Sequence, residues 1–224
     1  MKIQIYTMQS PEEALAVAAL GVDHLGLTPS NCGLPGEIDL VTARAIVEVV
    51  AGRATCVALS VESDLAAIEA MVQAVRPDIL HLCGLAGTLS PETVATLRSR
   101  LPGLPLMQAI SIAGPEAIDQ ALAYQKVADY LILDTQAPDI AGIGASGQIH
   151  DWSLSAEIVR RVQIPVILAG GLSPENVAEA IQAVRPWAVD SLTHTNQTMP
   201  GGGFRKDLER IRQFVRAARE PVSA

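Results

Sequence analysis

Eight short apolar runs alternate with helix-like segments along the chain, and this alternation limits the possible folds more than any other feature. Segments between the runs, such as DLAAIEAMVQAV, repeat apolar residues at helical spacing. The eight runs are KIQIYT, HLGLT, ATCVALS, ILHLC, LPLMQAIS, YLILDT, PVILAG and AVDSLT. Because parallel neighbours need helical crossovers, eight such units predict an α/β fold, a closed (β/α)8 TIM barrel, as a single domain over residues 1–224.

Serine–proline pairs mark the predicted start of three helices. Ser10, Ser90 and Ser173 each precede a proline, and serine suits the N-cap while proline suits the first helical position. The alternative is an open, doubly wound sheet, in which a glycine-rich turn follows the first strand. The segment YTMQSPEE has no glycine there, so the barrel is favoured.

Composition excludes several classes of protein. The net charge is −8 and no Lys/Arg-rich run is present, which argues against a nucleic-acid partner. No run reaches the ~18 apolar residues of a membrane span, and the N-terminal segment lacks the apolar core of a signal peptide. The three cysteines, Cys32, Cys56 and Cys83, form no CxxC pair, which is typical of a reducing compartment. We expect a cytoplasmic protein without a membrane partner or a cofactor; its oligomeric state stays open, with a homodimer as one alternative.

Asp134 is the first candidate catalytic residue. It ends the sixth predicted strand, and active sites of barrels lie at the carboxyl ends of the strands. Gly142, Gly144 and Gly147 follow it and would let the loop fold closely over a ligand. The alternative is an aspartate that only caps a turn.

Gly170 and Gly171 indicate a phosphate site. They follow the seventh strand, and the loops after strands seven and eight of a barrel frequently bind phosphate. Glycine leaves backbone N–H groups accessible, and the helix predicted to begin at Ser173 would add its positive end. The alternative is a tight turn between strand and helix.

Several segments resemble the phosphoribosylanthranilate isomerase family of tryptophan biosynthesis. They are PVILAGGLSPENVAEAIQAVRPWAVD, LILDT with DWSL, SPEEALAVAALGVDHLGL, ILHLCG and GFRKDLERIRQFVRAAR. The family carries out an Amadori rearrangement, in which an acid protonates the furanose oxygen of an aminoaldose phosphate and a base removes the proton at C2. The resemblance implies that Asp134 is the acid and that the substrate is a small phosphorylated sugar. It also implies that Gly170 and Gly171 form part of the phosphate site. Further candidate contacts to the substrate or its phosphate are Gly147, Thr193, His194 and His81.

The chain departs from the family pattern at three places. Tyr6 stands where the family has its catalytic cysteine, and a phenol, with a pKa near ~10, is a poorer base than a thiol. The loop after strand two, TPSNCGLPGEI, lacks the family's arginine and instead contains Cys32, a second candidate base. The last phosphate loop reads Leu192-Thr193-His194 in place of Ser-Ser-Gly. The loops of the predicted catalytic face contain neither Lys nor Arg, although Arg205 and Lys206 follow closely in sequence.

Two other interpretations remain at this stage. His81 and Cys83 lie two residues apart on one strand and so share a face, where they could bind zinc together with Asp134 or His194. Alternatively, the barrel has lost its base and only binds a phosphorylated metabolite. Turnover of aminoaldose phosphates would separate binding from catalysis.

Overall fold

The computed structural model of the chain describes residues 1–135, 142–144 and 147–220. Eight parallel strands pair in sequence order, and β8 pairs with β1 to close the barrel. The strands are β1 Lys2–Ile5, β2 His24–Leu27, β3 Thr55–Ser60, β4 Ile79–Leu82, β5 Leu106–Ser111, β6 Tyr130–Asp134, β7 Val166–Leu168 and β8 Ala188–Ser191. The predicted barrel is therefore confirmed, and each strand lies within the run that predicted it.

Helices follow the strands and surround the barrel. They are α1 Pro11–Ala18, α2 Leu40–Val50, α3 Leu65–Val75, α4 Pro91–Arg100, α5 Glu116–Tyr124, α6 Trp152–Arg161, α7 Val177–Val184 and α8 Leu208–Arg219. None of the helices in the described part of the chain is both long and apolar enough to cross a membrane.

Two of the three predicted helix starts are correct. The hydroxyl of Ser10 accepts from the N–H of Glu13 at 3.2 Å, and Ser90 caps α4 in the same way. The prediction at Ser173 is wrong, because α7 begins only at Val177. The Ser173 N–H donates to the Asn176 side chain at 2.8 Å, which holds residues 173–176 in a turn. The amino end of α7 is thus three residues further along the chain from the glycine pair than predicted, since its N-cap is Asn176 and not Ser173.

A β-hairpin that the sequence did not predict lies between β8 and α8. A short 3-10 helix, Thr193–Thr195, leads into β9 (Asn196–Thr198), which pairs antiparallel with β10 (Phe204–Lys206). The hairpin returns the chain to β1, since the Gln9 side chain donates to the Phe204 carbonyl at 2.8 Å. It thereby brings residues near the carboxyl terminus to the mouth of the barrel.

The core has two layers. Aliphatic side chains between strands and helices form the larger layer, with Ile3, Leu25 and Phe214 fully buried. A smaller cluster that includes Val57 and Met107 fills the barrel interior. This packing suits a chain with only 3% aromatic residues, because branched aliphatic side chains typically fill barrel layers. The interior is solid below the mouth, so a ligand can enter only at the carboxyl ends of the strands.

Candidate active site

A cavity of about 540 Å³ opens at the mouth of the barrel. Its polar lining comes from Tyr6, Thr28, His81, Asp134 and Asp190, together with the thiol of Cys83. The rest of the wall is largely apolar: Leu34, Pro35, Leu59, Val61, Ile132, Ile143 and Leu192. A cavity of this size and composition suits a small organic molecule that is held by a few polar groups.

A second cavity, of about 270 Å³, lies beside the first and has a different character. Its lining includes Gly147, Gly170, Gly171, Thr193 and His194. These are five of the six residues expected to contact the substrate or its phosphate, and the fold brings them together from the loops after β6, β7 and β8. His81 lies apart from them, in the first cavity.

The backbone of the glycine pair has a left-handed conformation. Gly170 and Gly171 have φ angles of +83° and +64°, a region that side chains other than glycine rarely adopt. A Cβ on Gly171 would lie 2.8 Å from the backbone of Gln148. Glycine at this position therefore also permits close packing of the loops, and a larger residue there would perturb the fold as well as any ligand.

Asp134 reaches both cavities from the end of β6. One carboxylate oxygen accepts from the N–H of Thr135 at 2.7 Å. Burial raises the pKa of Asp134 to about 7, and the Thr135 N–H opposes this shift only in part. A carboxyl group in this environment holds a proton near neutral pH, as a general acid requires.

Glycines after β6 let the loop pack directly over Asp134. A Cβ on Gly144 would lie 2.4 Å from the Asp134 carboxylate, and one on Gly142 would lie 2.5 Å from the Cys83 carbonyl. The N–H of Ile143 donates to that carbonyl at 3.1 Å. The absence of side chains thus allows the loop to cover the acid. Residues 136–141 and 145–146, which include part of the predicted lid, lie outside the described residues.

Tyr6 lines the first cavity but is not suited to act as a base. It is buried, and its hydroxyl lies 2.9 Å from Nδ1 of His81. Burial raises the pKa of Tyr6 well above 10, and the charge of Asp190 raises it further. The hydroxyl therefore keeps its proton while it is hydrogen-bonded to His81, whose own pKa burial lowers to about 3. A Cβ on Gly26 would lie 2.1 Å from the Tyr6 ring, so Gly26 provides the space that this ring fills.

Cys32 is not brought together with Asp134. It is exposed in the loop after β2, and its sulfur lies 4.0 Å from the Glu62 carboxylate. Neither of the two cavities has Cys32 in its lining. The loop is organised around Glu37, which accepts from the N–H groups of Cys32 and Gly33 at 2.6 and 3.0 Å.

The arrangement of His81 and Cys83 does not favour a metal centre. Both side chains face the first cavity, as their spacing predicted. The Cys83 thiol donates to the Ile143 carbonyl at 2.9 Å, and burial raises its pKa to about 12. Within the described residues, no group of three or more His, Cys, Asp or Glu side chains is placed to hold a metal ion.

Asp190 belongs to the site and Lys206 lies outside both cavities but acts on its charge, although the sequence did not single out either as functional. Asp190 projects from β8 into both cavities and is 6% exposed. Burial raises its pKa to about 8, the charge of Asp134 adds to the shift, and Lys206 opposes it. Lys206 is 5% exposed and donates to the Tyr6 carbonyl and to the Asn196 side chain. Burial lowers the pKa of Lys206 to about 7.

Other cations near the glycine pair are engaged elsewhere. Arg205 is exposed on β10 and donates to the Gln197 side chain at 3.0 Å. Arg210 donates to the His194 carbonyl at 3.2 Å and pairs with Glu175. Arg210 therefore supports the last loop from behind, and an anion in the second cavity would depend mainly on backbone amides and on His194.

Comparisons with known proteins agree with this geometry. The family model for N-(5'-phosphoribosyl)anthranilate (PRA) isomerase matches residues 3–217. An N-(5'-phosphoribosyl)anthranilate isomerase from Methanocella arvoryzae is 34% identical over 218 residues, which is 97% of this chain and 98% of the relative. Two structures of such enzymes, each 25% identical, cover 97% of this chain and 98% of theirs with TM-scores of 0.78. One is of the monomers generated from the dimeric Thermotoga maritima enzyme. The other contains reduced 1-(o-carboxyphenylamino)-1-deoxyribulose 5-phosphate.

Proposed function

The chain belongs to the N-(5'-phosphoribosyl)anthranilate isomerase family, and from this premise we propose that it isomerises an N-substituted aminoaldose phosphate to the aminoketose. The observation that carries the proposal is that Asp134 lies where the two cavities meet. A phosphosugar with its phosphate in the second cavity and its amine substituent in the first would place the sugar ring beside this carboxyl group.

Asp134 is the proposed general acid. Near neutral pH it retains a proton, which it gives to the ring oxygen of the furanose. The bond from C1 to that oxygen then breaks, and the nitrogen lone pair forms a protonated imine at C1. Proton transfer from a positioned side chain typically contributes ~10²–10⁴-fold to the rate.

The second cavity is the proposed phosphate site. Gly170 and Gly171 line it and have positive φ angles, and successive backbone N–H groups in such a turn can form an anion-binding concavity. His194 lines the same cavity, and its Nε2 lies 3.2 Å from the Gly147 carbonyl. This hydrogen bond links the loops after β6 and β8 around the anion.

Measured turnover tests the proposal. The purified chain is given N-(5'-phosphoribosyl)anthranilate or the aniline analogue, each labelled with ¹³C at C1, and NMR follows conversion of the anomeric carbon to a methylene. We expect Asp134→Asn to lose roughly 10²-fold or more in rate. Asp64→Asn is the matched control, because Asp64 is the exposed N-cap of α3 and asparagine caps equally well. No conversion of either compound, or an Asp134→Asn variant with the parent rate, would contradict the proposal.

Assembly and location complete the proposal. We infer a homodimer, as for the T. maritima enzyme, and light scattering of the purified chain tests this directly. A cytoplasmic location suits the three cysteines, all of which are free thiols.

A further inference from the structure

We propose that Asp190 is the general base that removes the C2 proton, the step for which neither Tyr6 nor Cys32 is suitably placed. The inference rests on the proposed function and adds a catalytic residue to it. In this assignment Asp134 on β6 protonates the ring oxygen, and Asp190 on β8 removes the proton at C2.

The position of Asp190 is the first argument. Asp134 and Asp190 are the two ionisable side chains that line both cavities, and Leu192 is the third residue common to them. A substrate that spans both cavities must therefore pass these two carboxyl groups. Asp190 is adjacent to β1, where its Cα pairs with that of Gln4, so it approaches the sugar from another side than Asp134.

The unpartnered oxygen of Asp190 is the second argument. The side chain is more than nine-tenths buried, yet its Oδ1 has no hydrogen-bond partner within the described part of the chain. A buried carboxylate oxygen without a partner is costly and calls for an explanation. A substrate hydroxyl or C–H in the cavity would occupy this position, and the oxygen is free to accept a proton there.

The charges next to the two carboxyl groups differ. Both groups are buried, and the charge of Asp134 disfavours ionisation of Asp190. Lys206 acts on Asp190 and lowers its pKa, whereas Asp134 has only the Thr135 N–H. The pKa of Asp190, about 8, still lies above that of Asp134, about 7, so the roles of the two groups are assigned from their positions. Lys206 stabilises the ionised form of Asp190, which is the form that removes the C2 proton.

The remaining ionisable neighbours do not compete for this role. Tyr6 and Cys83 keep their protons, because burial raises both pKa values and the charge of Asp190 adds to each shift. His81 is neutral, and its Nδ1 faces the Tyr6 hydroxyl. Glu13 lies on the far side of Lys206, where it accepts from the Lys206 N–H at 2.9 Å.

The reaction needs no proton donor or acceptor other than these two carboxyl groups. Asp134 first protonates the ring oxygen, and the imine forms. Asp190 then takes the C2 proton; the C–H electrons form the C1–C2 double bond, and the imine electrons return to nitrogen. Finally Asp190 returns its proton to C1 while Asp134 accepts the proton of the C2 hydroxyl, which becomes the ketone. Both carboxyl groups end in their starting states.

A deuterium isotope effect at C2 tests the assignment. Turnover of substrate with hydrogen or deuterium at C2 is measured for the parent, Asp190→Asn, Asp134→Asn and the control Asp64→Asn. We expect Asp190→Asn to lose about 10²-fold or more in rate with a larger isotope effect than the parent, because C–H cleavage becomes the slow step. Asp134→Asn should lose rate with a smaller isotope effect, since ring opening then limits turnover. Asp190→Glu, which keeps a displaced carboxylate, should fall between parent and Asp190→Asn.

The outcomes separate this inference from the proposed function. Parent turnover in Asp190→Asn together with loss in Asp134→Asn would overturn the role of Asp190 and leave the isomerase intact. Parent turnover in both variants would overturn both assignments. Binding of reduced 1-(o-carboxyphenylamino)-1-deoxyribulose 5-phosphate by calorimetry, with thermal melting, shows that each variant is folded. Loss of rate in folded Asp190→Asn with an unchanged isotope effect would also overturn the role as base.

Discussion

Replacing Tyr6 by phenylalanine should reduce stability without reducing turnover. The hydroxyl is hydrogen-bonded to Nδ1 of His81 at 2.9 Å, and both side chains are at least 95% buried. Its removal leaves a buried ring nitrogen without its partner, which costs about 2 kcal/mol, the middle of the usual ~1–3 kcal/mol range. For a domain of this size, ~2–4 °C per kcal/mol gives a fall in melting temperature of about 4–8 °C.

The assay pairs thermal melting with kcat for the same samples. Tyr124→Phe is the matched control, because the Tyr124 hydroxyl is also buried and donates to the Leu89 carbonyl at 2.5 Å, on the helix side of the barrel wall. Both variants should melt lower and keep the parent kcat. A Tyr6→Phe variant that melts like the parent but turns over roughly 10²-fold more slowly would identify Tyr6 as the base and refute the reasoning.

Three further predictions concern charge at the mouth. Asp134 and Asp190, with pKa values raised to about 7 and about 8, should give a bell-shaped dependence of kcat/KM on pH, and its two apparent pKa values belong to the pair rather than to either residue. Asp134→Asn should remove the limb set by the acid. A profile of the parent that does not change with pH would argue against the pair. These folded-state pKa values exceed those of unfolded aspartates, near ~3.9. The contribution of the pair to stability is therefore full below that pH and is lost as pH rises through about 7 and about 8. Asp190→Asn should accordingly raise the melting temperature relative to the parent more at pH 8 than at pH 5. The loop beside the apolar wall contains no Lys or Arg but holds ionised Glu37, whose pKa is lowered by the Ser30 hydroxyl and neighbouring N–H groups despite slight desolvation. The aniline substrate should therefore be preferred over the negatively charged anthranilate. Leu34→Arg should shift the ratio of the two kcat/KM values toward the anthranilate, and an unchanged ratio would contradict this reasoning.

The sequence predicts most of the fold because its signals are local. Apolar runs of strand length, helical spacing between them and serine caps all lie within a few residues of the element they specify. The start of α7 fails for a similarly local reason: Ser173 and Asn176 hydrogen-bond each other in a turn, so the serine–proline signal does not begin a helix. The hairpin of β9 and β10 has no apolar pattern, and its strands have three residues each.

The site is predictable where a residue ends a strand, and less so where its role depends on distant contacts. Asp134 and the glycine pair stand at strand ends, where the barrel places its chemistry. Asp190 lies inside an apolar run, and the sequence does not show whether such a carboxyl group belongs to a turn, to a sheet edge or to the barrel mouth. Only the closed barrel shows that its side chain faces the cavities. Lys206 contacts the Tyr6 carbonyl across 200 residues of sequence, and no local pattern reports that contact.

The central claim is that a phosphorylated aminosugar spans both cavities between Asp134 and Asp190. The most direct test is a crystal structure of the chain with reduced 1-(o-carboxyphenylamino)-1-deoxyribulose 5-phosphate, the ligand of a family relative. We expect the phosphate against Gly170 and Gly171, and C2 with its substituents within hydrogen-bond reach, ~3 Å, of the Asp190 carboxylate, with Asp134 facing the hydroxyl that derives from the ring oxygen. A phosphate bound outside the second cavity, or a sugar chain that touches neither carboxyl group, would contradict the claim.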